Sequence, residues 1–191
     1  MRQRLVVLIS GAGSNLASLL ENLPATQIPA DVVAVGSDTN APGLRHAADR
    51  GIPTFVVPWE EFSSREEWGV ALGDALAAHE PDLIILSGFM KLLPPELVSR
   101  FSPRILNTHP AYLPEFPGAH AVREALASGA TETGATVIVV DEGVDTGQIL
   151  AQRRVPVEPG DDEAALHARI KVVERELLLQ VLENITTAIG K

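Results

Sequence analysis

The stretch Leu5-Val6-Val7-Leu8-Ile9-Ser10-Gly11-Ala12-Gly13-Ser14-Asn15-Leu16 decides the fold, because a glycine turn in it joins an apolar run to a helix candidate. A short apolar run without alternation is typical of a strand buried on both faces. The glycines permit positive φ and close backbone approach, and the amino end of the next helix offers free N–H groups to an anion. We therefore predict a strand, then an anion-binding loop over residues 11–15.

The loop begins like a dinucleotide-binding fingerprint, but Leu16 stands where that fingerprint has its third glycine. No Lys-Ser or Lys-Thr pair follows it, which argues against a nucleoside-triphosphate loop. The pattern therefore favours a site for a single phosphate monoester. A tight turn capped by Ser14, with no ligand, is the alternative.

Outward from this stretch, apolar runs alternate with helix candidates. The runs are Leu5–Ile9, Val32–Val35, Thr54–Val57, Leu83–Leu86, Arg104–Asn107 and Thr136–Val140, and the helix candidates are Ser14–Glu21, Gly43–Arg50, Arg65–His79, Pro94–Phe101 and Ala121–Ala127. This order predicts an α/β fold with a mostly parallel, Rossmann-like sheet and helices on both faces. A return strand near Gln148–Val155 follows too closely for a helical crossover, so that pair is predicted to be antiparallel and the sheet mixed.

A long carboxyl-terminal helix is predicted from Asp161 to about Ile189. Its apolar residues recur at helical spacing and form one stripe: Leu166, Ile170, Val173, Leu177, Val181 and Ile185. Pro159-Gly160-Asp161-Asp162 supplies a turn and a capping carboxylate before it. No repeat or linker interrupts the chain, so we expect one domain over residues 1–191.

The segment Ile105-Leu106-Asn107-Thr108-His109-Pro110 carries the strongest chemical signal. If it ends a strand, alternation places Asn107 and His109 on one face, and Pro110 stops the ladder because it has no N–H. An amide donor beside an imidazole can stabilise an oxyanion and move a proton. A buried core histidine and a strand-end turn residue are the ligand-free alternatives.

Asp145 lies in Asp141-Glu142-Gly143-Val144-Asp145-Thr146-Gly147, which taken alone reads as an acidic hairpin loop. A carboxylate is nevertheless what His109 needs to be oriented and to stay protonated at neutral pH. His120 ends a Pro-Gly-Ala-His turn and either joins the site or begins a helix. A zinc site from His109, His120 and Asp145 is disfavoured because no short-spaced ligand pair anchors it, so no metal is expected.

Composition limits the classes of function. The 191 residues include no cysteine, which removes thiolate nucleophiles and disulfides. A net charge of −10 argues against a nucleic-acid partner, since phosphate neutralisation needs a basic surface. No apolar run reaches the roughly 18 residues that cross a membrane, and the first run reads as a strand and not as a signal peptide. A cytoplasmic location fits this composition.

Several motifs together resemble one family. They are Ile9-Ser10-Gly11-x-Gly13-Ser14-Asn15, Ser87-Gly88-Phe89-Met90-Lys91-Leu92-Leu93, Asn107-x-His109-Pro110 with Pro117-Gly118-x-His120, and Val144-Asp145-Thr146-Gly147. Over nearly its whole length the chain is similar to the phosphoribosylglycinamide formyltransferases, which are folate-dependent enzymes of purine synthesis. Asn-x-His-Pro with a later Asp is common to all 10-formyltetrahydrofolate formyl-transfer domains, whereas the other motifs narrow the resemblance to this family.

The resemblance implies that the glycine amine of glycinamide ribonucleotide attacks the formyl group of 10-formyltetrahydrofolate directly, with Asn107, His109 and Asp145 as the catalytic residues. It places the phosphate and ribonucleotide in the amino-terminal part, and the folate and catalytic sites in the carboxyl-terminal part. The ribonucleotide residues it implies are Gly11, Ala12, Gly13, Ser14, Asn15, Lys171 and Glu174. The folate residues it implies are Arg65, Met90, Lys91, Leu92, Leu93 and Val144, with His120 and Pro110 as support.

Three positions depart from the family pattern: Ile138, Gln148 and Tyr112. We expect them to tune the pocket without abolishing the chemistry. Lys171 and Glu174 have a simpler alternative, a surface ion pair on one helix. His46, His79 and His167 lie among charged residues and are expected to be solvated.

Two enzymes and one binding module are the rival functions. A 10-formyltetrahydrofolate hydrolase uses the same three side chains with water as acceptor, but usually carries an amino-terminal regulatory domain. Methionyl-tRNA formyltransferase needs an extra domain and a basic surface. A phosphate-binding or nucleotide-sensing module would leave the three side chains scattered. A monomer and a homodimer both fit the sequence.

Overall fold

A computed structural model describes residues 2–189. The strands of the described part are β1 (Gln3–Ile9), β2 (Ala30–Ser37), β3 (Thr54–Val56), β4 (Leu83–Leu86), β5 (Ile105–His109), β6 (Glu132–Val139) and β7 (Ile149–Pro156). Its α-helices are α1 (Ser14–Asn22), α2 (Leu44–Ala48), α3 (Arg65–Ala77), α4 (Pro95–Phe101), α5 (Ala121–Ala127) and α6 (Glu163–Ile189), and short 3₁₀ turns lie at Leu23–Ala25 and Trp59–Glu61. The predicted α/β fold and its long last helix are confirmed.

The strands form a seven-stranded mixed sheet in the order β3-β2-β1-β4-β5-β6-β7. Strands β3, β2, β1, β4 and β5 are parallel, and β6 pairs antiparallel with both β5 and β7. The antiparallel β6–β7 pair was predicted. The reversal between β5 and β6 was not, because the intervening helix α5 looks from sequence like a parallel crossover.

The strand order reverses direction between β1 and β4, whose loops therefore diverge at the carboxyl edge of the sheet. Open α/β sheets bind ligands at this point, outside the carboxyl ends of the strands. The glycine loop follows β1 and the Gly88–Leu93 loop follows β4, so the fold brings both to the same crevice.

Helices cover both faces of the sheet, as predicted. Alternate residues of β1 enter two different cores: Leu5, Val7 and Ile9 pack with α1 and α6, whereas Val6 and Leu8 pack with α3 and α4. All five are fully buried. Period-two alternation within a wholly apolar strand therefore supplies both layers.

Helix α6 lies against the first of these cores. Leu166, Ile170, Leu177 and Val181 of the predicted stripe are buried, and Val173 and Ile185 pack against the same cluster. Asp162 caps its amino end by accepting the Ala165 N–H at 2.7 Å. Within residues 2–189, no helix combines the length and the apolar character that crossing a membrane requires.

Candidate active site

A cavity of about 500 Å³ opens at the carboxyl edge of the parallel strands. Its walls come from the glycine loop after β1, the loop after β4, the end of β5, the loop between β6 and β7, and one face of α6. Both halves of the chain therefore contribute to it. Such a volume suits ligands of drug size.

The three predicted catalytic side chains meet in this cavity. Strand β5 ends at His109, before Pro110, so Asn107 and His109 project from the same side of the strand. Asp145 reaches them from the loop over residues 140–148. Its Oδ2 lies 3.3 Å from His109 Nδ1, and its Oδ1 lies 3.4 Å from Asn107 Nδ2. The reading that these residues are scattered is wrong.

Two main-chain groups that sequence reasoning missed complete the arrangement. His109 Nε2 lies 2.8 Å from the carbonyl of Phe116 and donates to it, since a carbonyl can only accept. The N–H of Gly118 donates to Asp145 Oδ2 at 2.8 Å. The loop after β5 therefore fixes both the imidazole and the carboxylate.

Backbone strain accompanies these contacts. Phe116 has φ +51° and Asp145 has φ +53°, in the left-handed region that side chains other than glycine seldom occupy. Each such residue costs on the order of 1–3 kcal/mol and persists because its surroundings hold it. Here both residues contact His109, so the strained positions coincide with the site.

Both ring nitrogens of His109 face an acceptor, and the side chain is only 4% exposed. A neutral imidazole has one N–H, whereas the imidazolium has two. A ring with an N–H on each nitrogen would satisfy both acceptors.

The glycine loop is held by α2 beneath it. Gly13 is the residue before α1 and is left-handed at φ +67°. Gly43 donates its N–H to the carbonyl of Gly11 at 3.1 Å, and the ring of His46 bonds the carbonyl of Ala12 at 3.1 Å. Ser14 does not cap the helix, so that detail of the ligand-free alternative is wrong.

Helix α6 brings Glu174 to the glycine loop. Glu174 is 3% exposed and accepts from Asn15 Nδ2 at 3.3 Å, while Arg175 Nε donates to Asn15 Oδ1 at 2.9 Å. Burial, only partly offset by the Asn15 hydrogen bond, raises the pKa of Glu174 above its ordinary value. The alternative of a surface ion pair with Lys171 is wrong, because this carboxyl is in the interior.

Three more residues of α6 line the cavity: Glu163, His167 and Lys171. Of these, Lys171 was implied by the resemblance, and helical spacing of four residues could have indicated the other two. His167 is half-buried, so the expectation that it is solvated is wrong. Its burial, and then the charge of Lys171, lower the pKa of His167 below its ordinary value. His46 and His79 are also half-buried, the latter stacked on Phe55 at 5.3 Å.

The loop after β4 lines the opposite wall. Met90 is 68% exposed and Leu92 47% exposed, and Val144 across the cavity is 49% exposed, so the cavity presents apolar side chains without a covering. Lys91 and Leu93 also line it. Arg65 is outside the lining, and its Nε donates instead to the carbonyl of Leu92 at 3.1 Å.

The remaining candidates divide between the cavity and its surroundings. Pro110, His120 and Ile138 line the cavity. The ring of Tyr112 packs under the guanidinium of Arg154 at 3.7 Å, and the carbonyl of Gln148 accepts a hydrogen bond from β6. Neither of these two residues lines the cavity. In the part of the chain that the structure describes, no group of three His, Cys, Asp or Glu side chains is placed to hold a metal ion.

Known proteins share this fold and sequence. The family model described as formyl transferase matches residues 3–182. The phosphoribosylglycinamide formyltransferase of Mycobacterium tuberculosis H37Rv is 53% identical over 184 residues, which are 96% of this chain and 85% of the relative. The enzyme of the same name from Escherichia coli K12 is 38% identical over 174 residues, covering 91% of this chain and 82% of the relative.

Solved structures give the same result. The glycinamide ribonucleotide transformylase 1 of Symbiobacterium toebii superposes with a TM-score of 0.94 at 37% identity, over 98% of this chain and 89% of that one. This chain therefore belongs to the formyl transferase family. The resemblance inferred from its motifs is confirmed.

Proposed function

We propose that this chain transfers the formyl group of 10-formyltetrahydrofolate to the glycine amine of glycinamide ribonucleotide. The observation that carries the proposal is the meeting of Asn107, His109 and Asp145 in one cavity that also receives the glycine loop and the apolar loop after β4. Both relatives described above are named phosphoribosylglycinamide formyltransferase, which supports the same reaction.

In this proposal the glycine loop and α6 receive the ribonucleotide. The first N–H groups of α1 have no partner within the helix and favour a phosphate there. Lys171 supplies a cation on the adjoining wall of a chain whose net charge is −10. Glu174, held by Asn15, lies between this region and β5 and would contact the glycinamide amine.

The folate would occupy the other wall. Met90, Leu92 and Val144 offer exposed apolar surface that a flat pterin would cover. Lys91 lies at the same loop, and Arg65 beside it, where they could attract the anionic glutamate tail. The formyl carbon would then lie between the two substrates, next to Asn107.

The chemistry needs no covalent intermediate. The amine nitrogen attacks the formyl carbon, a C–N bond forms, and the carbonyl oxygen becomes an oxyanion. Asn107 Nδ2 and His109 Nδ1 lie 3.4 and 3.3 Å from Asp145, so both are only loosely bonded to it and would donate to the oxyanion. Phe116 keeps the ring in place meanwhile.

The intermediate collapses when the bond from carbon to folate N10 breaks. The proton lost by the amine passes to N10, with Asp145 as the base that moves it, directly or through water. Because both substrates are held together, proximity alone can supply roughly 7–11 kcal/mol of the barrier reduction. Before and after this transfer, the ionised Asp145 also offsets the positive charge of His109.

A spectrophotometric assay of the purified protein with formyl-folate tests the proposal. Release of tetrahydrofolate only when glycinamide ribonucleotide is present is the expected result. Release at the same rate without the ribonucleotide would show a hydrolase. Phosphate binding with no folate binding would show the non-catalytic module.

A further inference from the structure

The loop over residues 88–93 has neither helix nor regular strand of its own. Leu93 is 6% exposed and Phe89 stacks on Trp68 at 6.3 Å, so both of these side chains are packed, whereas the side chains of Met90 and Leu92 are largely exposed. Polar contacts hold the part of the loop around Met90. Ser10 Oγ accepts the Met90 N–H at 2.8 Å, and the Ser10 N–H donates to the carbonyl of Gly88 at 3.2 Å.

Behind Ser10 lies a carboxylate that the catalytic scheme does not use. Asp38 follows β2 and is 5% exposed. Its Oδ1 accepts from Ser10 Oγ at 2.6 Å, and its Oδ2 lies 4.0 Å from Lys91 Nζ, which itself lies 5.7 Å from the ring centre of Trp59. The buried carboxylate of Asp38 thus contacts Ser10, which binds Met90, and also Lys91, which is the next residue of the loop.

The charge of Asp38 fixes the direction of this chain of hydrogen bonds. An ionised carboxylate can only accept, so the single hydroxyl hydrogen of Ser10 must point at Asp38. The lone pairs of Ser10 then face the Met90 N–H. The hydrogen bond from Ser10 to Asp38 is charge-assisted and therefore strong. It holds the Ser10 hydroxyl in one orientation, the one that accepts the Met90 N–H.

We propose that Asp38 is a positioning residue for the folate: through Ser10 and Lys91 it holds the loop over residues 88–93 in the conformation that receives the pterin. This inference rests on the proposed function, which assigns that loop to the folate. A loop already held in its bound conformation binds more tightly, because its ordering has been met before the ligand arrives. Loss of the anchor therefore weakens folate binding selectively.

The test compares Ser10→Ala, Asp38→Ala and Asp38→Asn with wild type, and uses Ser128→Ala as the matched control. Ser128 caps the end of α5 by donating to the carbonyl of Ala125, away from the cavity. Calorimetric titration with 5-formyltetrahydrofolate gives the folate Kd, and titration with glycinamide ribonucleotide gives the other. Hydrogen exchange of the unliganded protein reports on residues 88–93 without any ligand.

Ser10→Ala is expected to raise the folate Kd roughly fivefold to tenfold, the effect of one net hydrogen bond. Asp38→Ala should raise it at least as much, and Asp38→Asn should recover part of it because the amide oxygen still accepts from Ser10. The ribonucleotide Kd should change less than twofold. Exchange should accelerate in residues 88–93 and not in β1 or β4.

Unchanged folate binding and unchanged exchange in Ser10→Ala and Asp38→Ala would overturn the inference. Equal weakening of both ligands, with faster exchange throughout the sheet, would also overturn it by showing a general structural role. If wild type itself binds no folate, the proposed function fails. The exchange comparison still decides whether Asp38 anchors the loop.

Discussion

The contact between His109 and Asp145 offers the sharpest test, through Asp145→Asn. The substitution keeps the size of the side chain and removes its charge 3.3 Å from His109 Nδ1. Two unit charges at that distance interact by about 5 kcal/mol at an effective dielectric constant of 20, and by about 1 kcal/mol in bulk water. The side chains are 4% and 11% exposed, so the larger value is closer to this site.

A loss of about 4 kcal/mol, between the two values and nearer the larger, corresponds to a fall of about 1,000-fold in kcat for formyl transfer, because each 1.36 kcal/mol of barrier changes the rate tenfold. KM for both substrates should change little, since Asp145 acts on the transition state and not on ground-state binding. Steady-state assays with each substrate varied give the two constants separately.

The matched control is Asp74→Asn, which removes a carboxylate paired with Arg100 at 2.8 Å on the exposed side of α3. Exposed ion pairs contribute roughly 0–1 kcal/mol, so this variant should keep its kcat. A fall of less than tenfold in Asp145→Asn, with the fold intact by circular dichroism, would refute the electrostatic reasoning. A rise in KM alone would refute it too.

Three further variants test the walls of the cavity. Gly43→Ala would place a Cβ 2.7 Å from the carbonyl oxygen of Gly11, so the glycine loop must shift and the Kd for glycinamide ribonucleotide should rise at least tenfold by calorimetry, with the folate Kd as the control. The pKa of Glu174 is raised, so its contribution to stability is present at acidic pH and is lost as pH rises through that pKa. Glu174→Gln should therefore unfold at a higher temperature than wild type at neutral pH, but not at pH 4. The difference in the free energy of unfolding should be about 1.4 kcal/mol for each unit by which the pKa is raised. The pKa of His167 is lowered, so its contribution to stability is present above the ordinary value of 6.5 and is lost as pH falls. The melting temperature of His167→Gln relative to wild type should therefore rise as pH falls from 7 to 5. A difference in melting temperature that does not depend on pH would contradict this.

Much of the site could be predicted because its side chains follow strand periodicity. Asn107 and His109 are two residues apart on a strand that Pro110 ends, and the glycine loop follows the first strand at the point where α/β sheets bind ligands. The connection of Asp145 to them came from the family resemblance and not from spacing. A loop nine residues long has no periodicity that could place a carboxylate.

Sequence reasoning missed three kinds of feature. The carbonyl of Phe116 and the N–H of Gly118 belong to the main chain, which is the same at every residue, so no residue type marks them. The direction of β6 was missed because the connection after β5 contains a helix, and a helix fits either direction. The half-buried state of His167 was missed although Lys171 lies one turn away on the same helix face.

The left-handed residues Phe116 and Asp145 have a consequence for protein engineering. Glycine at Phe116 would relax the backbone, and thermostability screens that reward such relief should favour it. The same exchange would widen the range of orientations open to the carbonyl that His109 binds. Selection for heat resistance and selection for turnover are therefore expected to pull this one position in opposite directions.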